Sequence, residues 1–403
     1  MRRILFVDDE PHILEGLQRM LRPQRQCWEM SFAPSGAAAL KLLGERPFDV
    51  IVSDMRMPEM DGAALLTHVR DRFPGVVRMV LSGHTSLGSA LRAVPVAHQF
   101  MVKPCDPSVL RVTVDRACQL KDLLGSDLIL QTVCAMRELP TLPRTYAAMA
   151  QALSDPDVGL DRIASIVEQD MSLAARILQL VNSALFGRPQ RISNVRTAVS
   201  YLGAEIIRNL VLSVEAFRAF DGVAAIGGYS LEGIYAHAYL AARIASCLPE
   251  KSLRETARAA ALLHDVGRLV LMARLPKEFA EIVGLAREQV RPLYDVEKEV
   301  VGVTHAEIGA YLLGLWGLPL PIVEAAAYHH NPSQVPHQAF DCLAAVHVAD
   351  ALAHAQEPMP SVTGFAPPSL DRQYLADLGV AHQIAEWESM AAEVAAEENG
   401  GRP

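Results

Sequence analysis

Cysteine is scarce in this chain of 403 residues: there are six, Cys27, Cys105, Cys118, Cys134, Cys247 and Cys342, with no C-x-x-C pair. That scatter offers neither a disulfide framework nor a thiolate metal site, and it suits a reducing compartment where thiols act as small buried hydrophobes. Aromatic residues make up only 6% of the chain. No uninterrupted apolar stretch approaches the roughly 18 to 20 residues of a membrane span. The opening MRRILFVDDE meets the acidic pair Asp8-Asp9 before an apolar core of signal-peptide length has formed. Positive charge is outweighed, 37 Lys and Arg against 46 Asp and Glu, and a net charge of −9 argues against a broad non-specific nucleic-acid surface. A soluble, cytoplasmic protein without a membrane partner is expected.

What remains is ordinary globular composition, 51% hydrophobic and 21% charged, over a length that predicts two or three domains. Residues 1–122 alternate strand-like runs (Arg3 to Val7, Trp28 to Ala33, Asp49 to Ser53, Val77 to Leu81, Gln99 to Val102) with helical stretches. Ile13, Leu14, Leu17, Met20 and Leu21 recur at helical spacing between the first two. Such alternation predicts a doubly wound five-stranded parallel sheet with helices on both faces. After Lys103 no convincing strand returns. Residues 123–138 are expected as a helical linker with a partial heptad, broken by Lys121 and Gln131, that leaves a homodimer open. An all-helical domain follows over 139–355, with lobes at 139–220 and 221–355. A Pro-rich segment and tail occupy 356–403.

In an open parallel sheet, ligands bind beyond the carboxyl ends of the strands. The first strand ends at Asp8-Asp9, the third at Asp54, the fourth at Ser82, and the fifth runs into Lys103-Pro104. Neighbouring carboxylates repel unless a cation sits among them, and hard oxygen ligands describe a Mg²⁺ site. A carboxylate can then accept a phosphoryl group, with Lys103 and Ser82 meeting its oxygens.

The runs F-V-D-D-E, S-D-M-R-M-P-E-M-D-G, L-S-G-H and M-V-K-P resemble the flavodoxin-like receiver domain of bacterial two-component response regulators. The resemblance implies Asp54 as the phosphoacceptor and Asp8, Asp9, Asp54 and the Arg56 carbonyl around Mg²⁺. It implies Lys103 as the phosphate-contacting base, Ser82 and Phe100 as the switch pair, and a sensor histidine kinase as partner.

Nine of the thirteen histidines lie at or after His237. His237, His264-Asp265, His305, His329-His330 and Asp350 are spaced so that separate helices could bring imidazoles and carboxylates to one divalent transition metal (Fe, Mn or Zn). A buried His-Asp pair also serves simply to hold a bundle together. His264 and Asp265 are read as lying inside one apolar helix, and an adjacent His and Asp there are costly to bury unless paired or metal-bound. His347 and His354 share a face with Asp350 but also fit a solvated side. His12, His68, His84, His98, His337 and His382 have no partner pattern and are expected on the surface.

From P-T-L-P at 140–143 to about Leu352, the chain resembles the HDOD branch of the HD superfamily of metal-dependent phosphohydrolases. The resemblance rests on S-A-L-F-G, A-V-S-Y-L-G, L-L-H-D-V-G-R, T-H-A-E-I-G, W-G-L-P, A-Y-H-H-N-P and H-V-A-D. It departs from the pattern in three places. No Gly-Tyr-Pro element follows His329-His330, Gly233 stands where an acidic residue precedes His237 by one turn, and Arg268 replaces a lysine while remaining a candidate phosphate ligand. The expected output is interaction with a downstream protein. The alternative is a receiver-controlled phosphohydrolase acting on a nucleotide or cyclic dinucleotide. A third reading, nucleic-acid contact through Arg188, Arg191, Arg196 and Arg208, competes with plain solvated helix faces.

Overall fold

The structure, a computed structural model, describes residues 1–83, 96–123, 130, 133–134, 139, 143–155, 158–182, 191–213, 225–226, 229–248, 253–336, 339–356 and 366–400. Most of the linker expected over 123–138, the S-A-L-F-G run, Arg188, His84, His337 and most of the Pro-rich segment lie outside the described residues. The side chains of Ser82 and Arg208 lie outside them too.

Five strands form the first part: β1 (Arg2–Val7), β2 (Trp28–Ala33), β3 (Val50–Ser53), β4 (Val77–Ser82) and β5 (Gln99–Val102). All pair in parallel, in the order β2-β1-β3-β4-β5. Ile4 to Val7 and Val50 to Ser53 are buried throughout, as central strands covered on both faces must be. Flanking them are α1 (Pro11–Met20), α2 (Gly36–Glu45), α3 (Gly62–Arg72) and α4 (Pro107–Leu123). Ser35 and Asp61 start α2 and α3 by accepting the backbone N–H of Ala38 and Ala64, which satisfies donors that a helix leaves open. The winding reverses at β1, between β2 and β3, so a crevice opens above the ends of β1 and β3.

The second part is helical: α5 (Pro143–Ser154), α6 (Leu160–Val167), α7 (Met171–Asn182) and α8 (Val195–Ser213) precede α9 (Leu231–Cys247) and α10 (Arg254–Leu263). Then come α11 (Val266–Arg274), α12 (Pro276–Gln289), α13 (Leu293–Val300), α14 (His305–Leu315), α15 (Leu320–Tyr328) and α16 (Cys342–Gln356). Among the described residues, no helix is long and apolar enough to cross a membrane. One small correction concerns strands: β6 (Ala225–Ile226) and β7 (Tyr229–Ser230) form a two-residue hairpin ahead of α9. A larger one concerns the tail. It contains α17 (Arg372–Asp377) and α18 (Ile384–Gly400), with Leu375, Trp387, Ala391 and Val394 buried in the same core and Arg243 on α9 paired with Glu397 and Glu398. The Pro-rich stretch masked this continuation in the sequence. The cysteines also divide: Cys118, Cys134 and Cys342 are buried, while Cys27 and Cys247 are exposed.

The two parts are joined across one seam, where α4 packs on α14. Gln99 Nε2 donates to the Leu315 carbonyl at 2.8 Å, and Arg116 Nη2 donates to the Leu318 carbonyl at 3.0 Å. Arg78 on β4 is fully buried and donates to the carbonyls of Val76, Val96 and Cys134, the last in the segment between the domains. His98 corrects the sequence reading: it is buried, accepts the Arg78 backbone N–H at Nδ1, and sits with Nε2 2.7 Å from Arg78 Nη2. Burial, and then the Arg78 guanidinium, push its pKa well below the ordinary histidine value.

This gives a pH prediction with a definite sign. An imidazole that stays neutral when folded, but takes a proton near pH 6.5 when unfolded, supports the fold fully above that pH. That support drains away below it, by up to about 1.4 kcal/mol per pH unit. Denaturation of the full chain from pH 7.5 to 5 is therefore expected to show the gap between wild type and His98→Asn narrowing as pH falls. Parallel curves for the two would contradict it.

Candidate functional site

Two polar sites lie inside this frame. The first is at the crevice above β1 and β3. Lys103, just after β5, reaches across to donate to Asp8 Oδ2 at 2.5 Å and to Asp54 Oδ1. The other Asp54 oxygen accepts the Arg56 backbone N–H at 2.5 Å. Asp8 and Asp54 are buried, Asp9 is half-buried, and the Arg56 side chain is exposed, so Arg56 enters the site through its backbone. Burial raises the Asp54 pKa, and Lys103 works against the rise. Burial alone would discharge Lys103, but Asp54 and then Asp8 outweigh it and hold its pKa above the ordinary value. Gly62 is required here: a Cβ on it would sit 2.2 Å from the Asp54 carbonyl oxygen. Ser82 ends β4 next to Val102 of β5, and Phe100 is buried beneath that strand pair. The strand ends therefore bring Asp8, Asp9, Asp54 and Lys103 to one rim, with Ser82 at the end of the neighbouring strand, and the carboxylates there are hard oxygen donors.

The second site is deep in the helical domain. The sequence reading put His264 and Asp265 inside one helix, but they occupy a break: α10 ends before His264 and α11 begins after Asp265. Successive residues of a continuous helix diverge by about 100°. The break lets both side chains face one centre. Gly267 makes room for this, since a Cβ on it would lie 2.0 Å from the His305 carbonyl oxygen and 2.9 Å from Gly309 N. Helices α11 and α14 thus touch backbone to backbone.

Around that centre, Asp265 Oδ1 is 3.1 Å from His305 Nε2 and 3.9 Å from His329 Nε2. Its Oδ2 is 3.5 Å from His264 Nε2 and 4.0 Å from His237 Nε2. Asp350 Oδ1 lies 3.0 Å from His237 Nε2 and 3.4 Å from His264 Nε2, and Oδ2 is 3.6 Å from His330 Nδ1. His330 Nε2 is 3.1 Å from His305 Nε2. All seven residues singled out from the sequence are therefore gathered.

The outer ring nitrogens explain the aim of the inner ones. His264 Nδ1 donates to the Ala261 carbonyl at 2.6 Å and His329 Nδ1 to the Ala326 carbonyl at 3.0 Å. Glu297 on α13 holds His305 twice, at Nδ1 and at its backbone N–H, both at 2.7 Å. Each partner fixes a tautomer with Nε2 turned inward, as in histidine metal ligation. The inward atoms His264 Nε2, His329 Nε2 and His330 Nδ1 are buried without a hydrogen-bond partner. Such orphaned polar atoms need a cause.

Charge points the same way. Burial would raise the pKa of Asp265, but Arg268, His264 and His305 hold it well below the carboxylate range. Against the same penalty, His237 and His264 hold Asp350 low. Burial and then His264 press His329 to about 3, and burial with His329 presses His330 well below its ordinary value. Two buried carboxylates, Asp265 and Asp350, thus share one buried guanidinium, Arg268, while Glu297 is taken up by His305. Arg268 is engaged through Nη1, 2.6 Å from Asp265 Oδ2 and donating to the Tyr229 hydroxyl at 2.8 Å. Arg196 is likewise engaged, with Glu168 at 2.9 Å.

Sequence reasoning missed Glu297, which carries no motif of its own, and left His347 and His354 undecided. His347 is structural, donating to the His329 carbonyl and accepting the Asp371 N–H. His354 belongs to the centre, 3.5 Å from Asp350 Oδ1. A cavity of about 320 Å³, lined by Tyr294, Lys298, Thr304, Glu307 and Asn331, opens onto His330.

Comparison with known proteins assigns both halves. Residues 4–115 match the response regulator receiver domain, and residues 139–332 match the HDOD domain. A Treponema pallidum protein is 26% identical over 299 residues, 73% of this chain and 56% of its own length. The hydrogenase transcriptional regulatory protein HoxA of Cupriavidus necator is 36% identical over 124 residues, 30% of this chain and 25% of the relative. The chain thus spans about half of one relative and a quarter of the other. Among solved structures, the MmoQ response regulator of Methylococcus capsulatus aligns at 21% identity and a TM-score of 0.48, covering 62% of this chain and 98% of its own. A Campylobacter jejuni virulence factor aligns at 20% and 0.49, covering 67% and 96%.

The glycine contact yields a direct test. Gly267→Ala is expected to force α11 off α14 and lower stability by about 1 to 3 kcal/mol, an overpacking cost. Thermal melting reads this out, and an unchanged midpoint would mean that the two helices do not meet this closely.

Proposed function

The chain joins a response regulator receiver domain to an HDOD domain, and on that premise we propose that phosphorylation of Asp54 controls an output domain built around a divalent metal centre. A sensor histidine kinase is the expected phosphodonor. The Asp54 carboxylate attacks the phosphorus and the donor imidazole leaves. Mg²⁺ held by Asp8, Asp9, Asp54 and the Arg56 carbonyl would supply charge neutralisation. Lys103, already in contact with Asp54, is placed to meet a phosphoryl oxygen, and Ser82 and Phe100 are the proposed switch residues.

The observation that carries the metal reading is the trio of buried, inward, partnerless nitrogens on His264, His329 and His330 beside two ionised carboxylates. His237, His264, Asp265, His305, His329, His330 and Asp350 fit a transition ion such as Zn, Fe or Mn, because imidazole-rich sets favour these over Mg²⁺. Bound there, such an ion supplies Lewis acidity or structural cross-linking.

Helix α14 supports coupling between the sites. Gln99 of the receiver holds the carbonyl of its last residue, Leu315, Arg116 holds that of Leu318 just beyond it, and His305 is its first residue, about 15 Å from Leu315 at helical rise. A shift of β5 or α4 on phosphorylation would reach His305 through this rod. Output through contact with a downstream protein, or through a homodimer, then follows from a change in the domain surface. The cavity above His330 favours a second reading, hydrolysis of a phosphoester.

Two measurements test this. Wild type is expected to take up phosphate from acetyl phosphate with Mg²⁺, and Asp54→Asn to take up none; labelling of the variant would refute the phosphoacceptor assignment. Elemental analysis is expected to find divalent metal in the purified chain and to find it lost in His264→Ala or Asp265→Ala. The same samples assayed on cyclic dinucleotides and a generic phosphodiester decide between the readings, since turnover that vanishes in both variants would favour the hydrolase.

A further inference from the structure

The side of the metal centre formed by α9 and α16 contains a histidine outside the ligand set inferred from the sequence. His354 follows Asp350 by one turn of α16, so both point from the same face. Its Nε2 lies 3.5 Å from Asp350 Oδ1, its ring stacks on His237 at 4.0 Å between centroids, and its side chain is 9% exposed. Ligand atoms of His237, Asp350 and His354 all lie within 4.8 Å of one another.

Those spacings are informative. Metal–nitrogen and metal–oxygen bonds of about 2.1 Å place neighbouring ligand atoms of a tetrahedral site roughly 3.4 Å apart. Asp350 Oδ1 lies 3.0, 3.4 and 3.5 Å from the Nε2 atoms of His237, His264 and His354. At the opposite end, His305, His329 and His330 form a separate group, with Asp265 Oδ1 beside it. Asp265 lies between the two, one oxygen facing each.

Among the described residues, α9 brings no carboxylate to the flank that His354 occupies. Gly233, one turn before His237, has no side chain, and Glu232 is exposed and absent from the ligand groups among the described residues. His347, also on α16, is turned away and engaged by backbone. Imidazole therefore stands on this side, and no carboxylate from α9 competes.

We propose that His354 is a metal ligand which, with His237 and Asp350, completes a second position for a divalent transition ion, distinct from the one framed by His305, His329 and His330. This rests on the reading of the HDOD domain as metal-binding. The extra imidazole replaces a hard oxygen, so this position takes Zn²⁺ or Co²⁺ in preference to Mg²⁺.

The test is metal titration of the full chain after chelation, using Zn²⁺ and Co²⁺ against a competing indicator dye. Wild type is expected to bind two equivalents. His354→Gln, which keeps the bulk beside His237, is expected to keep one and to bind the second about 10- to 100-fold more weakly. His354→Glu, of the same shape but with an anionic donor, is expected to regain much of the second equivalent. A role in packing alone would make Gln and Glu equivalent, so two unaltered equivalents in His354→Gln would overturn the proposal while leaving the metal centre intact. No metal in wild type would remove the metal-binding reading itself. Melting of each variant without metal checks that it folds, and if His354→Gln does not, the Co²⁺ spectrum of His354→Glu serves instead. Two equivalents with a spectrum altered from wild type support ligation, and two with an unaltered spectrum refute it.

Discussion

Everything in the helical domain is arranged around a carboxylate that has no access to water. Asp265 is fully buried, and an isolated charge in such a place would cost far more than a domain's stability. The fold answers by surrounding it with Arg268, with its neighbour His264 and with imidazoles from three other segments. His264 and His329 are then held from behind by carbonyls, and His305 by Glu297. The break between α10 and α11, the glycine contact with α14 and the burial of Glu297 are all consequences of bringing those groups to one carboxylate.

The receiver was legible in the sequence because its site is local. Each chemical residue ends a strand, strand ends of a parallel sheet share one rim, and the apolar runs that define the strands are short and unambiguous. The helical site was legible in its members but not in its arrangement. His264-Asp265 reads as mid-helix because nothing in A-A-A-L-L-H-D-V-G-R announces a break; the cause is Gly267 meeting a backbone 38 residues further on. Glu297 stayed hidden because an acidic residue on an amphipathic helix normally faces solvent. His98 was misplaced for the converse reason, since its partner Arg78 is on the neighbouring strand and no spacing rule connects them. His347 and His354 flank Asp350 at helical spacing, and periodicity cannot say which of two such residues turns inward.

The seam between the domains has an unusual chemistry. Burial presses the Arg78 pKa down to about 10, the strongest effect on it, and among the described residues no carboxylate lies among its hydrogen-bond acceptors. Among the described residues, that guanidinium is met by three backbone carbonyls and by the His98 ring. Such an arrangement holds only while all of its acceptors are in place, so the receiver and the segment after it are bound by geometry more than by charge.

Helix α14 also acts as a ruler. One end, Leu315, is set by Gln99 of the receiver on its carbonyl, the other by His305 in the buried His-Asp cluster, and Gly309 lies against Gly267 between them. Losing or gaining a single residue would turn one end relative to the other by about 100° and shift it by 1.5 Å. A change in its length would therefore break the register between its two ends. Across related chains that keep both domains and their contact, insertions and deletions should collect in the connecting loops and leave these eleven residues uninterrupted.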